Sequence, residues 1–141
     1  MTTPETRSVI VERDFPHPPE KLWRTLTQPH LMAEWLMRND FQPAIGHRFN
    51  LRGDWGGVLD CEVLILDAGK CLSFTWDHVN DNAAYDLRSV VTFTLTPTMT
   101  GTHLRVEQAG FRTDQKQAFG GAMHGWNSFL SKLEAVVARD I

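Results

Sequence analysis

Residues 58–76, VLDCEVLILDAGKCLSFTW, decide the fold. In the first half the odd positions Leu59, Cys61, Val63 and Ile65 are apolar, while Asp60 and Glu62 mark the other face. Such alternation is the signature of a strand with one buried side. In 72–76 the even positions Leu72, Phe74 and Trp76 are apolar instead. A hairpin turning through Asp67-Ala68-Gly69-Lys70 pairs Ile65 with Leu72, Val63 with Phe74 and Cys61 with Trp76, so every inward residue meets an inward residue. The same register puts Cys61 and Cys71 on opposite faces and several rungs apart, beyond the reach of a disulfide.

The test repeats on the next hairpin. In Tyr85 to Thr96 the inward positions are Tyr85, Leu87, Ser89, Val91, Phe93 and Leu95, and after the loop Pro97 to Gly101 they are Leu104, Val106 and Gln108. Centring on that loop pairs Phe93 with Leu104, Val91 with Val106 and Ser89 with Gln108. On the N-terminal side, Ile45 to Leu51 forms a strand with Ile45, Phe49 and Leu51 inward. A glycine-rich turn at 54–57 follows it, carrying Trp55. Five antiparallel strands result.

Ahead of this meander, Ser8 to Phe15 reads as a further strand, ended by Pro16, Pro18 and Pro19. Pro19 and Glu20 suit a helix start, and Leu22, Trp23 and Leu26 line one face of a helix over Glu20 to Thr27. Pro29 breaks it and opens a second short helix, His30 to Met37, with Leu31, Trp35 and Leu36 at helical spacing. At the other end, Phe119, Met123, Trp126, Leu130, Leu133 and Val137 recur at steps of three and four, the stripe of a long amphipathic helix. Gly120, Gly121 and Gly125 each cost about 1 kcal/mol in a helix interior, so the expected helix starts near Ala122. No repeat or linker interrupts the chain, and a single domain over 1–141 is expected.

The 141 residues carry 14 Lys plus Arg against 17 Asp plus Glu, a formal charge of −3. With no basic run there is no electrostatic footprint for a phosphate backbone or an anionic membrane surface, so neither nucleic acid nor membrane is an expected partner. The longest aliphatic run, Val63 to Leu66, is far short of the roughly 20 residues a membrane span needs. The polar start, Met1 to Arg7, has no signal-peptide pattern, and two cysteines make no disulfide framework; both point to a reducing cytoplasm. Five Trp and eight Phe beside one Tyr are an unusual amount of ring surface, which either fills a core or lines a cavity.

The order of strand, two short helices, antiparallel strands and long C-terminal helix is that of the α+β helix-grip fold. The stretches Arg13-Asp14-Phe15, Glu20-Lys21-Leu22-Trp23, Leu26-Thr27-Gln28-Pro29, and Leu31 with Glu34-Trp35-Leu36 lie along that order. Further on come Ile45-Gly46-His47-Arg48-Phe49, Leu72-Ser73-Phe74-Thr75-Trp76, Gly101-Thr102-His103-Leu104, and Gly125-Trp126 with Leu130 and Leu133. In these stretches the chain resembles the START-like (SRPBCC) superfamily, and within it the family related to the activator of Hsp90 ATPase. The resemblance covers about Val9 to Val137. It implies a curved six-stranded antiparallel sheet around the long helix, enclosing a cavity that holds an apolar molecule in many relatives. It fixes no reaction: superfamily members include cyclases and dehydratases, ligand carriers and a chaperone activator.

Strand parity and this resemblance together place the walls of the expected cavity at Phe49, Leu51, Phe74, Trp76, Leu87, Val91, Phe119, Met123 and Trp126. Tyr85, Ser89 and Gln108 supply convergent polar groups, since buried polar atoms must satisfy each other or meet a ligand. The expected function is binding of a small apolar or aromatic molecule, with no metal or redox cofactor, by a monomer or weak homodimer. A protein-interaction module acting on a chaperone and a polyketide cyclase- or dehydratase-like enzyme are the alternatives, binding being favoured over catalysis. The histidines at 17, 30, 47, 78, 103 and 124 are scattered without metal-ligand spacing, leaving His47, Tyr85 and His124 as acid–base candidates. Cys61, inward among rings, is expected to be inert packing. Gly120 to Gly125 lacks the Lys and Ser or Thr of a phosphate loop.

Overall fold

Seven strands in the order β1-β7-β6-β5-β4-β3-β2 form one antiparallel sheet in the computed structural model, which describes residues 5–54 and 56–139. β1 (Thr6–Phe15) leads into α1 (Pro19–Thr27), α2 (Pro29–Trp35) and a two-residue edge strand β2 (Arg38–Asn39), one strand more than expected. The meander β3 (Arg48–Arg52), β4 (Val58–Asp67), β5 (Cys71–His78), β6 (Leu87–Pro97) and β7 (Thr102–Arg112) precedes α3 (Lys116–Val137). Trp55 lies outside the described residues.

The two prolines placed at helix starts are where their missing N–H is harmless: Pro19 and Pro29 are each the first residue of a helix. Inward parity builds the core. Phe49, Leu51, Leu59, Cys61, Val63, Phe74, Val91, Phe93, Val106 and Leu104 are buried from the sheet, and Trp126, Leu130, Leu133 and Val137 from α3. Rings meet edge to face at Trp35–Phe93 (6.1 Å), Phe49–Phe74 (5.2 Å) and Phe93–Trp126 (5.7 Å), the geometry aromatic quadrupoles prefer. α3 packs on β1, α1 and α2.

Both hairpins depart from the expected register. Val63 does face Phe74, but a bulge lies between Val63 and Ile65, so Ile65 pairs with Ser73 and Leu66 with Leu72. One inserted residue flips the parity, and Ile65 is therefore exposed instead of inward. In β6–β7 the pairs are Val91–Gln108, Phe93–Val106 and Leu95–Leu104, two residues from the expected register. β6 runs on to Pro97, and the turn tightens to Thr98–Gly101, closed by the Thr98 N–H on the Gly101 carbonyl (2.9 Å). A two-residue slip keeps parity, which is why the buried set survived it.

Three further expectations are corrected. Ile45 precedes β3 and is exposed. Tyr85 lies in the loop before β6 and is 57% exposed. α3 begins at Lys116, six residues before Ala122: Ala118, Phe119 and Ala122 pack against the core and Gln115 anchors the first turn, which outweighs the glycine penalty.

Candidate functional site

A cleft of about 560 Å³ opens between the inner face of the sheet and the first turn of α3. Its sheet wall is Leu59, Trp76, His78 and Leu87, its helix wall Gln115 to Ala118, and its outer wall Ala84 and Tyr85 of the 79–86 loop. The lining is mainly apolar with a few polar groups, the composition of a small-molecule site.

Local chemistry explains why this end is open. Gly110 is the extra residue of a bulge where Arg7 pairs with Phe111 and Ser8 with Ala109, and its φ is +121°. A Cβ there would sit 2.5 Å from the Arg88 carbonyl, so only glycine fits. β6–β7 pairing stops at Val90–Ala109, leaving Leu87 at the end of its strand. On α3 the half-buried residues here are Ala118, Phe119 and Ala122; fully buried large side chains come only from Trp126 onward.

The loop roofing the cleft is tied down by hydrogen bonds. Asx contacts run from the Asn80 N–H to Asp86 Oδ1 (3.0 Å), the Asn82 N–H to Asn80 Oδ1 (2.8 Å) and the Ala84 N–H to Asn82 Oδ1 (3.0 Å). The Asn80 N–H, with Arg88 adding to it, holds the Asp86 carboxyl below its usual range. Buried Gln115 donates from Nε2 to the Asp86 carbonyl (2.7 Å) and accepts the Arg112 N–H on Oε1 (3.0 Å), and Arg112 Nη2 donates to the Ala83 carbonyl (2.6 Å). His78 Nδ1 lies 2.8 Å from the Tyr85 carbonyl. A carbonyl only accepts, so Nδ1 carries a proton and Nε2 of the neutral ring is an acceptor.

The expected site residues divide into three groups. Trp76, Tyr85 and Leu87 line the cleft. Phe49, Leu51, Phe74, Val91 and Trp126 are buried in the packed core, while Phe119 is half-buried against Phe111 (5.7 Å) and Met123 is 36% exposed. Ser89 and Gln108 form a closed relay: Trp126 Nε1 donates to Gln108 Oε1 (2.8 Å), Gln108 Nε2 to Ser89 Oγ (3.0 Å), and Ser89 Oγ to the Trp76 carbonyl (2.6 Å). Among the described residues no buried side-chain nitrogen or oxygen lacks a partner, so this relay satisfies itself without a ligand. His47 is half-buried with Nε2 3.1 Å from the Asp40 carbonyl, and His124 is exposed. Burial drives the Cys61 thiol well above its ordinary pKa, so it is inert at neutral pH.

Sequence reasoning missed His78, Ala84, Gln115 and Ala118. The signal for the loop was present in Asn80-Asp81-Asn82, an Asx-turn pattern. No group of three or more His, Cys, Asp or Glu among the described residues is placed to hold a metal ion, and no described helix is long and apolar enough to cross a membrane. A separate hollow of about 450 Å³ on the outer face of β3–β5 is walled by polar groups such as Arg48, Asn50, Asp60 and Glu62 that bond one another.

The model of the family "Activator of Hsp90 ATPase homolog 1-like protein" matches residues 16–138. The chain belongs to this family. Among solved structures it is similar to protein MLL2253 from Mesorhizobium loti, at 64% identity and a TM-score of 0.94 over 96% of this chain and 99% of that one. It is also similar to BH1534 from Bacillus halodurans, at 25% identity and 0.78 over 93% and 96% of the two chains. CalU16 from Micromonospora echinospora shares the fold at 21% identity and 0.78, over 96% and 78%. No curated protein matches the chain significantly. The helix-grip architecture of this AHSA1-like chain and its START-like kinship thus rest on both its topology and its neighbours.

Proposed function

We propose that this AHSA1-like chain binds a small apolar or aromatic molecule in the cleft beside the first turn of α3. The observation that carries the reading is the cleft itself: about 560 Å³ walled by Leu59, Trp76, Leu87, Ala84 and Ala118, with the polar groups of His78, Gln117 and Lys116 at its margin. A ligand hydroxyl donating to His78 Nε2 would be oriented against the Trp76 ring, since the Tyr85 carbonyl fixes the imidazole tautomer. The ligand is held by the cleft alone and not by the Ser89–Gln108 relay, whose hydrogen-bonding capacity is spent inside the core.

The test is a titration with a panel of phenols, flavonoids, polyketides and fatty acids, followed by Trp fluorescence in the wild type and in Trp76→Phe. Saturable quenching that the Trp76→Phe variant loses supports the reading. Unchanged fluorescence across the panel, with no binding by calorimetry, refutes it.

A second reading, action on an ATPase chaperone through an outer surface, draws support from the family description and from the filled interior around Phe49, Phe74, Trp126, Leu130 and Leu133. It predicts stimulation of an Hsp90-type ATPase by the purified protein. That stimulation should survive a cleft-filling substitution such as Ala118→Leu.

A further inference from the structure

A smaller hollow of about 310 Å³ lies between the β2–β3 edge, the end of α2 and the second half of α3. Lys132 on its rim is roughly 24 Å along the helix axis from Lys116 in the cleft, so the two sites are separate. Its floor is apolar: Trp35, Leu36 and Met37 are buried, and the Phe129 ring is half-buried.

Its rim is cationic. Arg38 and Arg52 line it and are direct cross-strand partners, a like-charge pair of the kind that destabilises a sheet. Lys132 lines it from α3, its ammonium 6.0 Å from the centre of the Phe129 ring. Glu34 and Asp54 are the carboxylates of the lining, and Glu34 is already engaged by Arg139 Nη2 at 2.6 Å. Among the described residues neither the Arg38 nor the Arg52 side chain forms an ion pair or hydrogen bond, in a chain whose net charge is negative. Three cations against Asp54 leave an excess of two positive charges beside the half-buried Phe129 ring.

We propose that this hollow is a binding site for a small phosphomonoester, its phosphoryl dianion held among Arg38, Arg52 and Lys132 and its organic part laid against Phe129. A phosphoryl group between two guanidinium forks turns their mutual repulsion into paired charge-assisted hydrogen bonds. The charge excess matches a monoester dianion, and contact with the half-buried Phe129 ring distinguishes the ester from free phosphate.

The test uses phenyl phosphate and inorganic phosphate at constant ionic strength, with calorimetric titration of the wild type, Arg38→Gln and Arg52→Gln. Wild type is expected to bind one phenyl phosphate saturably and more tightly than inorganic phosphate, and each variant to lose affinity by about tenfold or more, as for a hydrogen bond to a charged group. Without ligand both variants should melt at or above the wild-type temperature, because a like-charge pair has been relieved; lost binding then does not report unfolding. Equal binding by wild type and variants overturns the proposal, as does phenyl phosphate binding no better than inorganic phosphate. Binding that survives in both Arg variants but is lost in Ala118→Leu places the probe in the cleft and overturns it too.

Discussion

The two halves of α3 face the same sheet with opposite results. From Trp126 onward the inward residues are Trp126, Leu130, Leu133 and Val137, all buried, and the rings of Phe93 and Trp76 close on Trp126. Between Lys116 and Gly125 the half-buried residues are alanines, a glycine and Phe119, and the facing strand ends at Leu87. A core needs matched volumes from both layers; where one layer supplies mostly methyl groups and the other stops pairing at a Gly110 bulge, a cleft remains. One face of one sheet therefore provides both the stability and the candidate site.

The largest expected effect lies in the packed half. Trp126→Ala removes a fully buried ring and orphans Gln108 Oε1, so about 3–5 kcal/mol of stability is expected to be lost in urea unfolding. A matched pair tests the contrast directly. Leu130→Ala is expected to cost about 2–5 kcal/mol as a buried leucine, and Leu87→Ala, half-buried at the cleft, about 1 kcal/mol. Equal losses for the two leucines would break the comparison. Gly110→Ala forces an L residue to φ +121° and a Cβ onto the Arg88 carbonyl; a loss of about 1–3 kcal/mol is expected, with amide signals moving at 87–90 and 109–111.

Ala118→Leu acts the other way, filling the cleft. Stability is expected to stay within about 1 kcal/mol of wild type, while affinity for any cleft ligand falls by about tenfold or more. The smallest effect belongs to neither half. His103 on β7 meets Glu12 through Nε2 (3.0 Å) and Asp14 through Nδ1 (2.7 Å), and these carboxylates, Glu12 first, raise its pKa above the ordinary value of about 6.5. Its contribution is complete below the unfolded-state pKa and disappears as pH rises through the folded-state value. Between pH 6 and 8 the wild type should therefore lose slightly more melting temperature than His103→Gln, measured at low salt, because the site is solvent-exposed.

The alternation of β4 to β7 placed nearly the whole packed half in view, because parity survives a two-residue slip such as that of β6–β7. It fails at Ile65, turned outward by a one-residue bulge, and at Tyr85, which lies in the loop before the strand begins, and it gives no sign of the bulge at Gly110. The cleft was less legible for a related reason. Its defining features are absences of side-chain volume and a loop folded back by Asn80, Asn82 and Gln115, whereas hydrophobic patterning records where large residues sit. Parity also put Ser89 and Gln108 correctly indoors, but only the folded structure shows that Trp126 and the Trp76 carbonyl consume their hydrogen bonds.

On the proposed function, ligand enters the open half of α3 and not the packed half, and amide chemical-shift mapping of the ¹⁵N-labelled protein against the phenol, flavonoid and fatty-acid panel separates the two. Saturable shifts are expected only at Trp76, His78, Ala84, Leu87 and Gln115 to Ala118, with Phe49, Phe74 and Leu130 unmoved. Saturable shifts centred on the packed residues or the outer face of the sheet, or no saturable shifts at all, would contradict it.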